Sequence, residues 1–244
     1  MDYGFVDCHC HISAPEFQQD LPDVIHRTRQ AGVKTLVAVT EEVEEFPRVL
    51  HLQERYPDLV APCLGLHPLQ AAGGQRSVRP QIGLDFTPWC APTQQDRDDQ
   101  MKVFIGQLDI AMEMDLPVNV HSRSAAKVTI DTMRRRGISR ALLHNFSGKP
   151  AAALEAVEAG FFFSFPPAVC RNQQRDRLIQ RIPLDHICLE TDSPALGLHR
   201  NERNEPANIA LSCGYIAKVK GQTPETVRDV TTQNAYRLFS RASR

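Results

Sequence analysis

Short apolar runs alternate with longer amphipathic stretches from residue 5 to residue 240. Runs at 5–12, 33–40, 59–67, 116–122, 141–146, 161–165 and 186–192 read as strands. A weaker one lies at 81–86. The stretches 21–31, 46–56, 94–115, 125–136, 151–159, 172–181, 207–220 and 224–240 read as helices. Gly32, Gly137 and Gly160 stop three of them, and Thr223 followed by Pro224 is the pattern of a helix start. Strand alternating with helix predicts a parallel sheet covered by helices on its outer face. Eight such units predict an α/β fold of the (β/α)8 TIM-barrel type in a single domain, 1–244, with a doubly wound open sheet as the alternative. The chain has no internal repeat and no inter-domain linker.

Composition narrows the partners. Of the 244 residues, 42% are hydrophobic and 23% charged, and the formal net charge is −1. No global positive field draws in a polyanion, so binding one needs local charge, which metal ions can supply. The dense basic run Arg134-Arg135-Arg136 sits at an expected helix end, where cations favour the dipole. Seven cysteines with no CxxC pair predict free, mostly buried thiols in a reducing compartment. The start Met1-Asp2-Tyr3-Gly4 lacks a basic stretch followed by an apolar core, and no apolar run approaches the roughly 20 residues a membrane helix needs. The expectation is an intracellular protein, cytoplasmic or nuclear, with no membrane partner.

The nine histidines divide into two groups. His26, His51, His186 and His199 fall in helices, at a strand start or in a polar loop, and need no special role. His9, His11, His67, His121 and His144 fall at the C-terminal ends of expected strands, as does Asp192. Residues two apart on a strand share a face, so Asp7, His9 and His11 point one way, as do Glu190 and Asp192. In a parallel barrel those strand ends meet at one mouth. Imidazoles with a carboxylate are ligands for a divalent first-row ion.

These residues, in this order, resemble the TatD-type deoxyribonucleases. The resemblance rests on Asp7-x-His9-x-His11, Gly65-Leu66-His67-Pro68, Gly83-Leu84-Asp85, Val120-His121-Ser122-Arg123, Leu143-His144-Asn145-Phe146 and Leu189-Glu190-Thr191-Asp192-Ser193-Pro194, and spans nearly the whole chain. It implies a metal-dependent phosphodiesterase acting on DNA, by 3′-exonuclease action on single strands or by cleavage at abasic sites. It implies two divalent ions, Mg²⁺, Mn²⁺ or Zn²⁺, with His9 and His11 on one and His121 and His144 on the other. Asp192 would bind metal and orient or deprotonate the attacking water. His67, Arg123 and Glu190 would support the ligands or contact phosphate.

Two departures from the family pattern matter. Gln81 stands where the family carries a Glu that bridges the two ions, so the second ion is expected to bind weakly. Residues 69–80 offer no amphipathic helix, which predicts a shortened crossover before the fourth strand and an exposed barrel flank. A slip of that strand could instead bring Asp85 to the missing ligand position. Two other functions therefore stay open: a catalytically impaired form holding one metal at most, and a small-molecule amidohydrolase.

Overall fold

A computed structural model describes residues 4–65 and 82–242. The expected short crossover, with His67 and Gln81, lies outside the described residues.

Among the described residues seven strands form: β1 (Phe5–Cys10), β2 (Val33–Val39), β3 (Val60–Cys63), β4 (Val118–Val120), β5 (Ala141–Leu143), β6 (Phe162–Phe165) and β7 (Ile187–Leu189). All pair in parallel, as one sheet of order β1-β2-β3 and another of order β4-β5-β6-β7. Order follows sequence throughout, without the reversal that marks a doubly wound sheet. The two sheets meet where β7 runs out beside β1. There Asp192 N donates to His9 O at 2.9 Å and His11 N to Ser193 O at 2.8 Å.

The weak strand expected at 81–86 is reduced, among the described residues, to an isolated parallel bridge between Gly83 and His121. Three hydrogen bonds support it: His121 N to Ile82 O, Leu84 N to His121 O, and Phe86 N to Arg123 O. The φ of +133° at Gly83 lies outside strand geometry and interrupts a regular ladder. Any larger residue is blocked as well, since a Cβ on Gly83 would lie 2.1 Å from His121 O. The rungs leave Leu84 buried and bring Asp85 Oδ2 to 3.1 Å from His121 Nε2.

The described residues form eight α-helices between and after the strands: α1 (Leu21–Gln30), α2 (Phe46–Arg55), α3 (Gln94–Glu113), α4 (Ala126–Arg135), α5 (Pro150–Glu158), α6 (Asp176–Arg181), α7 (Ile209–Lys220) and α8 (Pro224–Leu238). Thr93 and Asp96 form a reciprocal cap at the start of α3, and Thr223 accepts from Thr226 N at the start of α8. The helix expected from 172 begins later. Asn172 Oδ1 accepts Gln174 N, a local turn that competes with helix, and a 3-10 turn at Pro167–Arg171 precedes it. Among the described residues no helix is long and apolar enough to cross a membrane. All seven cysteines are free.

Strand parity sorts the interior into two layers. Leu36, Ala38, Ala141, Leu143, Phe161, Phe163, Phe165, Ile187 and Leu189 pack with the helices in the larger core. The alternate residues Val37, Val39, Leu142, Phe162 and Cys188 join Val6 and Cys8 in a smaller cluster with Leu238 and Phe239 of α8. Two residues on, those same strands carry His144, Ser164 and Glu190. The smaller cluster therefore forms an apolar floor beneath a polar layer.

Candidate metal centre

The polar layer is assembled at the C-terminal ends of four strands. His9 lies in β1 and His11 just past it; His121 and His144 directly follow β4 and β5; Asp192 lies three residues past β7. The rings of His9 and His144 stack with centroids 3.7 Å apart, and His9 and His11 meet edge-on at 5.1 Å. His11 Nε2 is 3.4 Å and His9 Nε2 3.6 Å from the same oxygen of Asp192. His121 Nδ1 is 3.0 Å from His144 Nε2. Two groups bring three ligand atoms within 4.8 Å of one another: His9, His11 and Asp192, and His9, His144 and Glu190.

Neighbours fix how the imidazoles are turned. Asn119 donates its Nδ2 to Cys8 O at 2.8 Å, which leaves its Oδ1 facing His9 Nδ1 at 2.9 Å. The proton of His9 is thereby held on Nδ1, and buried Nε2 has no hydrogen-bond partner. Asp85, fully buried, places Oδ2 3.1 Å from His121 Nε2, on the side away from His144. Its other oxygen accepts from Thr87 N and Thr87 Oγ. Glu190 accepts Asn145 N and Ser164 Oγ, and Oε2 lies 3.7 Å from His144 Nδ1. Asp7 accepts His9 N and both the N and the Oγ of Thr191, tying β1 to the end of β7.

Burial pulls both His9 and His144 down to about 3, so these imidazoles stay neutral and keep a lone pair near neutral pH. Burial also works to raise the Asp192 carboxyl, but contact with His11 and the other imidazoles outweighs it and holds the group well below the carboxylate range. Burial pushes Asp7 up to about 7 and moves Glu190 upward too. The layer therefore sets two neutral imidazoles, His9 and His144, beside one firmly ionised carboxylate, while His11, which burial lowers and contact with Asp192 raises, ends above its ordinary value.

The layer floors a cleft of about 930 Å³ whose walls differ in charge. Glu16, Glu41 and Glu45 stand on the β1–β2 side, and Arg123 and Arg175 on the opposite side. Arg175 is pinned by Asn145 Oδ1 at 2.6 Å. Ser124, Asn145 and Asp192 hold positive φ of 55°, 43° and 54°, strained backbone gathered where the chain leaves three strands for the cleft.

Of the expected site residues, His9, His11, His121, His144 and Asp192 come together. Glu190 stands behind His144, and Arg123 sits on the rim, its guanidinium 5.0 Å from the ring centre of Trp89. His67 lies outside the described residues. Sequence reasoning passed over Asn119, Arg175 and Trp89, and considered Asp85 solely as a displaced ligand. Asn119 carried a signal, because it shares strand parity with His121. Arg175 carried none, since a polar stretch gives no hint that its arginine folds inward.

A family model described as TatD related DNase matches residues 6–240. The chain is 58% identical to a Danio rerio protein named "Putative deoxyribonuclease tatdn3", covering 99% of each. It is 46% identical to the Homo sapiens protein named "Deoxyribonuclease TATDN3", covering 97% of this chain and 94% of that one. The alignment to the Danio rerio protein runs over 263 positions against 244 residues here, so it leaves gaps on this chain, as an internal shortening requires. A crystal structure titled as YJJV, a TatD homolog from Escherichia coli k12, superposes with a TM-score of 0.85 at 27% identity, over 98% of this chain and 99% of that one.

Proposed function

Because the chain belongs to the TatD related DNase family, we propose that it is a metal-dependent hydrolase of phosphodiester bonds in DNA. The observation that carries this reading is the cluster of His9, His11 and Asp192, three ligand atoms from strands at opposite ends of the sequence within 4.8 Å of one another. The donor set suits a divalent first-row ion: the neutral imidazole of His9, whose buried Nε2 has no hydrogen bond, the imidazole of His11, and an ionised carboxylate. Such an ion supplies positive charge at the scissile phosphate and acidifies water.

The chain's own residues do the rest. His9, His11 and Asp192 would hold one ion, and His121 and His144 the second. Asp192, ionised and fixed by strained backbone, would orient the attacking water and accept its proton. Arg123 and Arg175 would steady phosphate oxygens on the wall facing away from the glutamates. Single-stranded or abasic DNA is the substrate this cleft would take.

To test the reading, metal content and cleavage of single-stranded, abasic and duplex DNA are measured with Mg²⁺, Mn²⁺ and Zn²⁺. The native chain is compared with a His9→Ala/His11→Ala double variant. Losing outer partners of a metal site costs about 10- to 100-fold, so losing two ligands is expected to cut cleavage by more than about 100-fold. Equal cleavage by both proteins sinks the nuclease reading.

A one-ion site is the second reading. It is favoured because, among the described residues, no three-ligand group includes His121. Gln81 in place of the expected bridging Glu points the same way. Mass spectrometry under native conditions decides: one ion per chain, rising to two in Gln81→Glu, supports it, and two firmly held ions in the native chain remove it.

A further inference from the structure

Trp89 is the sole tryptophan in the chain, and it stands 59% exposed on the turn that follows the Gly83–His121 bridge. Burying an indole is among the larger apolar gains a fold can make, so an indole left in water contributes little of that to stability. The turn beneath it is nonetheless held from several sides. Cys90 N and Ala91 N both donate to Thr87 O at 2.9 Å. Thr87 N donates to Asp85 Oδ1, and Gln100 Nε2 donates to Asp85 O and to Cys90 Sγ. The backbone under Trp89 is thus fixed by α3 on one side and by the bridge segment on the other.

Among the described residues its cationic neighbour is Arg123, whose guanidinium lies 5.0 Å from the ring centre. Arg123 also lines the metal cleft, two residues beyond His121. The arginine thereby links an exposed aromatic face to the place where phosphate would be cut. Charge on the cleft walls gives the direction. A polyanion is repelled from Glu16, Glu41 and Glu45 and drawn to the wall of Arg123 and Arg175, which is the Trp89 side.

We propose that Trp89, with Arg123, forms a stacking platform for an unpaired nucleobase of the bound strand, next to the phosphate held in the cleft. The inference rests on the nuclease reading for its ligand and adds a binding subsite to it. Every base presents a π-face, so such a platform takes single strands without demanding a sequence. A base locked in a duplex offers its face to its stacked neighbours instead. A guanidinium can lie against an indole and still donate to a phosphate oxygen, so Arg123 serves both parts of one nucleotide.

The test uses the native metal-loaded chain and a phosphorothioate-linked oligothymidylate that resists cleavage. Beside it runs an oligomer of equal length and charge whose sugars carry no bases. With one tryptophan, intrinsic fluorescence reports on the platform alone. The thymidylate is expected to quench it, and the base-free oligomer is not. Anisotropy of a labelled strand follows the variants. Trp89→Ala is expected to weaken thymidylate binding by about 5- to 100-fold, the span of base–aromatic stacking, and to leave the base-free oligomer little changed. Trp89→Phe is expected to recover part of the loss. Equal quenching by both oligomers, or equal thymidylate affinity in native and Trp89→Ala chains, overturns the platform. These failures are separable from failure of the nuclease reading. A chain that binds as described yet cleaves no DNA loses the nuclease and keeps the platform, and a chain that cleaves DNA without discriminating bases does the reverse.

Discussion

Asp85 shows how a side chain outside the ligand set can govern it. Its carboxylate, fully buried, accepts from His121 Nε2 and leaves His121 Nδ1 directed at His144. An amide in its place offers the imidazole a donor as readily as an acceptor, and the chosen tautomer is lost. Asp85→Asn is expected to lower metal affinity by about 10- to 100-fold, as losing an outer partner of a metal-bound histidine does. Competition with a calibrated chelator measures it, and unchanged affinity would dismiss the orienting role. The candidate ligands themselves were legible in the sequence, because histidine at a strand end is rare enough to be noticed five times. Their orienting partners were harder to find. Asn119 and Asp85 are ordinary polar residues until the fold shows which ring nitrogen each one faces.

At the level of elements, helix starts followed from local chemistry, as the Thr93–Asp96 cap and Thr223 with Pro224 illustrate. Strand lengths did not. Every strand but β6 ends before its apolar or polar run does, because the last residues leave the ladder to form the cleft. His121 and His144 lie just outside β4 and β5 for that reason. Periodicity cannot register where a ladder stops, since side chains keep alternating for a residue or two beyond it. The bridge at Gly83 is the extreme case. Gly83→Ala would bring a Cβ within 2.1 Å of His121 O at a φ of +133°. It is expected to cost about 2 kcal/mol or more in stability and to disturb His121 at the same time. Chemical denaturation gives the first effect and metal content the second; a midpoint equal to the native one would refute the crowding argument.

On the scale of the whole molecule, the described residues line a groove on one flank and stitch a seam on the other. A groove of about 1050 Å³ runs between β3, α3 and the end of α8, with Leu64, Ile110 and Met114 exposed along it. The opposite seam is secured by the segment after β7. Arg203 pairs with Asp20 and Glu205 with Arg27, clasping that segment to α1. Asn204, fully buried, donates its Nδ2 to Thr191 O and Ala195 O and so braces the loop that carries Asp192. Asn204→Ala leaves the carbonyl of buried Thr191, and that of Ala195, without that donor. It is expected to cost roughly 1–3 kcal/mol and to weaken metal binding through Asp192. Thermal melts with and without added metal separate the two effects, and a loss of neither would show that the loop stands without its brace.

The stitched seam has a further consequence for the chain as it is made. Asp7 is bound to Thr191 across 184 positions, and His9 and His11 meet Asp192 over a comparable span. Translation must run on from His11 to Asp192 before the first ligands acquire their last. Until then the growing polypeptide carries four of the candidate histidines without the carboxylate that joins His9 to His11, so the centre is completed late.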